Sequence, residues 1–121
     1  MIKRKTLVAA MFWCRSEYNI PKEKMPKLRL VKSKSLTTDF MGKYNFDNNT
    51  ITLYLLNHKS VMDILDTLLH EVYHSTQKIE IYNAMDEYFG YKNNPLEKDA
   101  IDNARKTKFR LYKYLLELGF F

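Results

Sequence analysis

SVMDILDTLLHEVYHSTQ, residues 60–77, is the stretch that decides the fold. Val61, Ile64, Leu65, Leu68, Leu69 and Val72 recur at the i, i+3, i+4 spacing of an α-helix, which lays them along one buried stripe. Ser60 followed by Asp63 is a capping-box pattern with Asp in place of Glu or Gln, so a helix begins there and its periodicity carries it to about Lys78. A second stripe holds Asp63, Asp66, Thr67, His70, Glu71, His74 and Gln77. The helix is therefore apolar on one side and crowded with titratable groups on the other.

Working outward, Gly42-Lys43-Tyr44-Asn45-Phe46 and Thr50-Ile51-Thr52-Leu53-Tyr54-Leu55 flank the turn-forming Asp47-Asn48-Asn49, which predicts a β-hairpin. Ile51, Leu53 and Leu55 fall on one face; Thr50, Thr52 and Tyr54 fall on the other. Leu28 and Leu30 alternate with Lys27, Arg29 and Lys32, the pattern of a further strand. Pro21 and Pro26 bound a connecting segment before it. A first helix is expected from about Thr6 to Tyr18, with Leu7, Met11 and Cys14 on one face. Downstream, the Tyr- and Phe-rich residues 79–93 suggest a short helix closed by Gly90. Asn94 as cap and Pro95 at the first helical position open a last helix, with Leu96, Ala100, Ala104, Leu111, Leu115 and Leu118 on one side and its end near Gly119. The 121 residues fit one α+β domain, 1–121, with one modest core.

Apolar residues make up 45% of the chain and charged residues 28%, an ordinary folded composition rather than a disordered one. No apolar run is long enough for a transmembrane helix. Lys3-Arg4-Lys5 before the apolar Leu7–Cys14 stretch imitates a secretory signal, but no small-residue cleavage site follows and Arg15 and Glu17 come at once, so a buried helix is expected instead. The single cysteine suits a reducing compartment, and the expected location is cytoplasmic. Charge is uneven. Residues 1–45 carry 11 Lys/Arg against 3 Asp/Glu, residues 46–104 carry 4 against 10, and residues 105–121 carry 5 against 1. Basic flanks around an acidic middle favour solubility over a nucleic-acid partner, though an anionic partner is the alternative.

His70-Glu71-Val72-Tyr73-His74 is an H-E-x-x-H pattern. Residues four apart lie one turn apart on the same helix face, so the two imidazoles can converge on one zinc ion. Glu71 lies about 100° around the helix from His70, turned toward the open side of such an ion, where a base would stand. The bland alternative is a chance match on a surface helix. A three-ligand site needs one more group. His58 is the only other histidine, and it lies too far back along the helix axis. Glu97 is the best-placed carboxylate, but Asn94-Pro95-Leu96-Glu97 is also a capping arrangement, and spacing leaves ligand and cap equally open.

Gly42-x-Tyr44, Ile51-x-Leu53, Leu65-x-Thr67-Leu68-Leu69-His70-Glu71-x-x-His74-x-x-Gln77 and Tyr91-x-x-Asn94-Pro95-Leu96-Glu97-x-x-Ala100, taken together over residues 40–104, resemble small zincin metallopeptidases of the gluzincin type. They are similar to the minigluzincins and to the SprT-like and ImmA/IrrE-like families. The resemblance implies a zincin-like domain in which a sheet edge strand binds extended substrate and Glu97 is the third zinc ligand. It implies hydrolysis of peptide or protein substrates by zinc-activated water, with Glu71 as general acid/base. The departures are specific. Where gluzincins often place an Asp four residues after the ligand Glu, this chain has Ile101, leaving Asp66 and Asp102 as substitutes. SprT-like proteins use a third histidine, and none follows His74. The oxyanion-stabilising group is open among Tyr88, Tyr91 and Tyr112, each equally explained by packing. Two other readings remain: a catalytically weak or inactive regulatory or DNA-associated protein, and a structural metal site with every position filled by protein.

Overall fold

The computed structural model describes residues 2–33 and 40–121. Its two longest helices begin where their caps dictate. Ser60 Oγ accepts from the Asp63 N–H at 3.2 Å and starts α2, Val61–Ser75 in the chain. Asn94 Oδ1 accepts from the Leu96 N–H at 2.9 Å, Pro95 takes the first helical position, and the helix runs over Pro95–Glu117 as α4. Between them α3 spans Ile79–Phe89 and stops at Gly90, whose φ of 77° few side chains could adopt. The first helix, α1, covers Arg4–Glu17.

Three strands form one sheet: β1 (Lys27–Val31), β2 (Gly42–Asn45) and β3 (Thr50–Tyr54). The order is β1-β3-β2, with β1 parallel and β2 antiparallel to the central β3. Leu28 and Tyr44 flank Ile51 from either side, and Leu30 and Gly42 flank Leu53. The β2–β3 hairpin turns as expected. Asn45 Oδ1 accepts from the Asp47 N–H at 2.9 Å, and Asn49 takes the left-handed conformation that Asn tolerates, φ 50°. The architecture is the expected α+β: a first helix, a small sheet with a hairpin, and the two long helices.

One apolar core joins these layers. Ile51, Leu53 and Leu55 of the sheet region, Leu65, Leu68, Leu69 and Val72 of α2, Leu111 and Leu115 of α4, and Leu7, Met11 and Cys14 of α1 are all buried in it. Thr52, on the face opposite Ile51 and Leu53, is buried as well. Two expectations need correction. Leu96 is only half-buried. Leu118 is exposed instead of packed, because the helix has ended and the chain turns through Gly119 at φ 82°.

Two contacts set β2 and the end of β3 against α2. A Cβ on Gly42 would lie 2.7 Å from Thr67 Cγ2, so only glycine lets β2 come this close. His58 Nδ1 donates to the Tyr54 carbonyl at 2.9 Å, which leaves its Nε2 to accept from the Thr67 hydroxyl at 2.9 Å. His58 is thus a structural bridge, in keeping with its rejection as a ligand. At the far side of α4, Arg110 forms a two-pronged ion pair with Glu17 and lies 5.5 Å from the Trp13 ring. Among the described residues no helix is long and apolar enough to cross a membrane.

Candidate metal centre

His70 and His74 project from the same face of α2, one turn apart, as their spacing requires. The start of α4 lies across them. His70 Nε2 is 2.6 Å from Glu97 Oε1, His74 Nε2 is 3.0 Å from the same oxygen, and the two Nε2 atoms are 3.0 Å apart. The placement of Glu97 differs from that of a capping residue. Its carboxylate meets the two histidines and the Tyr82 hydroxyl, while the Asn94 N–H that a capping box would engage bonds to the Tyr91 carbonyl at 3.3 Å. Glu71 is buried next to this trio, and its carboxylate and one ring nitrogen from each of the two histidines all lie within 4.8 Å of one another.

The donor set fits a cation. Two imidazole nitrogens and a carboxylate oxygen converge, and three acceptor atoms at such distances need either shared protons or a metal between them. Tetrahedral zinc ligation at about 2.0–2.1 Å separates ligand atoms by roughly 3.3 Å, so the trio would open by roughly 0.3–0.7 Å to admit the ion. The His70 side chain is 20% exposed, whereas those of His74 and Glu97 are 7%, so solvent reaches the trio on the His70 side.

Electrostatics follow from this packing. Burial alone would raise the pKa of Glu97, but hydrogen bonds from His70, His74 and Tyr82 outweigh it and hold the carboxyl well below the usual range. Burial opposes a charge on His74, yet its bonds to Glu97 and Gln77 and the charges of Glu97 and Glu71 push its pKa up. Glu71 is raised chiefly by desolvation, with the Glu97 charge adding to it and the two histidines opposing.

The trio lies in a cleft of about 610 Å³. One wall is β2, through Gly42, Lys43 and Tyr44; the other is α3, through Ile79, Tyr82 and Asn83. Among the described residues no strand pairs with the outer edge of β2.

The supporting groups differ from those expected. His74 Nδ1 is held by Gln77 Oε1 at 2.6 Å, not by an aspartate. Asp66 faces Lys108 at 3.5 Å, and Asp102 is exposed on α4. Of the three candidate tyrosines only Tyr91 lines the cleft. Tyr88 is 82% exposed, and Tyr112 stacks on Phe121 at 5.2 Å between ring centres. Tyr82 was not singled out, and only its place in a Tyr-rich segment marked it. No family model, curated protein or solved structure matches this chain.

Proposed function

We propose that this protein is a zinc-dependent metallopeptidase of the gluzincin type, a single zincin-like domain working in the cytoplasm. The observation that carries the reading is the convergence of His70 Nε2, His74 Nε2 and Glu97 Oε1 within 3.0 Å of one another, with the Glu71 carboxylate beside them. His70, His74 and Glu97 would hold the ion. When bound there, zinc supplies Lewis acidity, polarising a carbonyl and making water more acidic.

The chain's own residues account for the rest. Glu71 takes a proton from water in the cleft and returns it to the leaving amine. Its burial supports that cycle, because a carboxyl raised above its ordinary pKa can carry the proton between the two transfers. The open edge of β2 offers backbone N–H and C=O groups to an extended peptide along the cleft. Tyr91, in the turn before α4, lines the cleft and is the candidate among the three tyrosines for a hydroxyl that meets the substrate. The cleft lining, with Phe40, Tyr44, Phe46 and Ile79, suits apolar side chains of a peptide or protein substrate.

The test pairs metal content with turnover. The purified protein should hold about one zinc per chain, as a three-ligand site with an open position requires, and should cut members of a broad peptide library in a chelator-sensitive way. Absence of any transition metal after zinc is supplied would overturn the metal reading; zinc without cleavage of any peptide would leave a metal site and remove the peptidase.

A further inference from the structure

A ring of hydrogen bonds begins and ends on His74. His74 Nδ1 meets Gln77 Oε1 at 2.6 Å, and Gln77 Nε2 donates to the Leu96 carbonyl at 2.9 Å. The Leu96 N–H donates to Asn94 Oδ1 at 2.9 Å, and Asn94 Nδ2 donates to the Tyr82 carbonyl at 3.2 Å. The Tyr82 hydroxyl donates to Glu97 Oε2 at 2.7 Å, and Glu97 Oε1 returns to His74 Nε2 at 3.0 Å. The ring passes from the end of α2 through the start of α4 to α3 and back.

We propose that Gln77, Asn94 and Tyr82 are positioning residues that fix His74 and Glu97 in their ligating arrangement before any ion arrives, an inference that rests on the metal reading above. Each amide in the ring has only one workable orientation. The Leu96 carbonyl can only accept, so the Gln77 amide nitrogen must face it and the amide oxygen must face His74. His74 Nδ1 therefore carries a hydrogen; the ring closes through Nε2–H to Glu97 while the imidazole is protonated, and when Nε2 gives up that proton the lone pair left on it is aimed at His70 and Glu97, where an ion would sit. The Leu96 N–H can only donate, so Asn94 presents its oxygen there and its nitrogen to Tyr82. Asn94 is fully buried, where a misdirected amide would cost two hydrogen bonds at once. Tyr82 occupies Oε2 of Glu97 and leaves Oε1 for the histidines.

A purely structural reading treats Asn94 as a helix cap and nothing more. The cap uses only Oδ1, so Asn94→Asp separates the two roles: aspartate caps as well as asparagine but has no donor for the Tyr82 carbonyl. Asn94→Asp, Gln77→Leu and Tyr82→Phe would be compared with the wild type by zinc competition against a chromophoric chelator and by thermal melting. Nitrogen-15 NMR of the metal-free protein, at alkaline pH where the imidazole is neutral, would give the His74 tautomer. The expected result is zinc affinity lower by roughly 10–100-fold in Asn94→Asp and Gln77→Leu. Asn94→Asp should melt below the wild type, because a carboxylate oxygen then faces the buried Tyr82 carbonyl, so its zinc affinity is read on the folded protein at a temperature well below its melt. The wild-type His74 should carry its hydrogen on Nδ1, a preference that Gln77→Leu loses. Wild-type zinc affinity in all three folded variants, or a wild-type His74 with its hydrogen on Nε2, would overturn the positioning role while leaving the metal site standing. A wild-type protein that binds no zinc would overturn the metal reading itself, and the positioning role with it.

Discussion

The first turn of α4 and its second half both pack against the rest of the fold, but by different physics. Near Asn94–Glu97 the contacts are polar and counted atom by atom: each donor has one acceptor, and a single wrong atom leaves a buried group unpaired. Around Ala104, Leu111 and Leu115 the contacts are apolar, and what matters is how much volume is filled. The Asp66–Lys108 ion pair lies within the second region and the pairing of Glu97 with His70 and His74 within the first, so α2 and α4 run antiparallel. An apolar contact degrades in proportion to what is removed, whereas a polar one fails at the group that is lost. Chemistry at one end of the helix should therefore be separable from stability at the other.

Glu71→Gln tests that separation hardest. It keeps the side chain's shape but cannot take up a proton. Peptidase activity should fall by about two to four orders of magnitude, with zinc content and melting temperature near those of the wild type. A variant that cleaves as fast as the wild type would remove the assigned base.

The opposite intervention is Leu68→Ala, in the fully buried core. It should cost about 2–5 kcal/mol in chemical denaturation. Zinc affinity of the folded fraction should not change, and a parallel loss of affinity would show that the two regions are coupled.

Gly42→Ala probes the junction between them. The new methyl meets Thr67 Cγ2 at 2.7 Å, and the expected loss is about 1–3 kcal/mol. Thr67→Ser removes that methyl and keeps the hydroxyl that bonds His58, so the double variant should recover part of the loss. If it recovers nothing, the strain lies at the Thr52 carbonyl, 3.1 Å from the same position.

The smallest expected effect is a pH dependence of the metal-free protein. His74 has a folded pKa above its ordinary 6.5, so its contribution is fully present below 6.5 and is lost as pH rises through the raised value. Glu97, depressed below its ordinary 4.5, contributes above 4.5 and loses that contribution on acidification. Glu71, raised above 4.5, contributes fully below 4.5 and loses that contribution as pH rises through its raised value, because its charged form is disfavoured in the fold. Metal-free melting temperatures should therefore decline as pH rises above 6.5. Zinc should reverse the trend, since ligation requires deprotonated side chains. Parallel pH profiles with and without zinc would contradict this.

Much of the frame was legible in the sequence because its signals are local. The stripe from Ile64 to Val72, the Ser60 and Asn94 caps, the Asp47–Asn49 turn and Gly90 each act within a few residues. His70, Glu71 and His74 were legible for the same reason. What escaped depends on distant partners. Alternation marks β1 as a strand but does not say that it pairs with β3 rather than β2. Support for a zinc histidine was expected from Asp66 or Asp102; at His74 Gln77 provides it, a residue that helical spacing puts on the same face but does not mark off from the other polar groups there. Tyr82 reaches Glu97 only because α3 packs against the start of α4, and a phenol among many aromatics carries no sequence signal of that.

Cys14 gives the molecule a built-in reporter. It is the chain's only thiol and is fully buried in the α1 part of the core. Burial, with the Glu17 charge adding to it, pushes its pKa far above that of a free thiol, so the reactive thiolate is almost absent in the native state. An alkylating reagent should therefore reach it only when the core opens. The rate of that labelling would time the opening of the apolar region without touching the histidines, and the thiol is poorly placed to link two native chains by a disulfide.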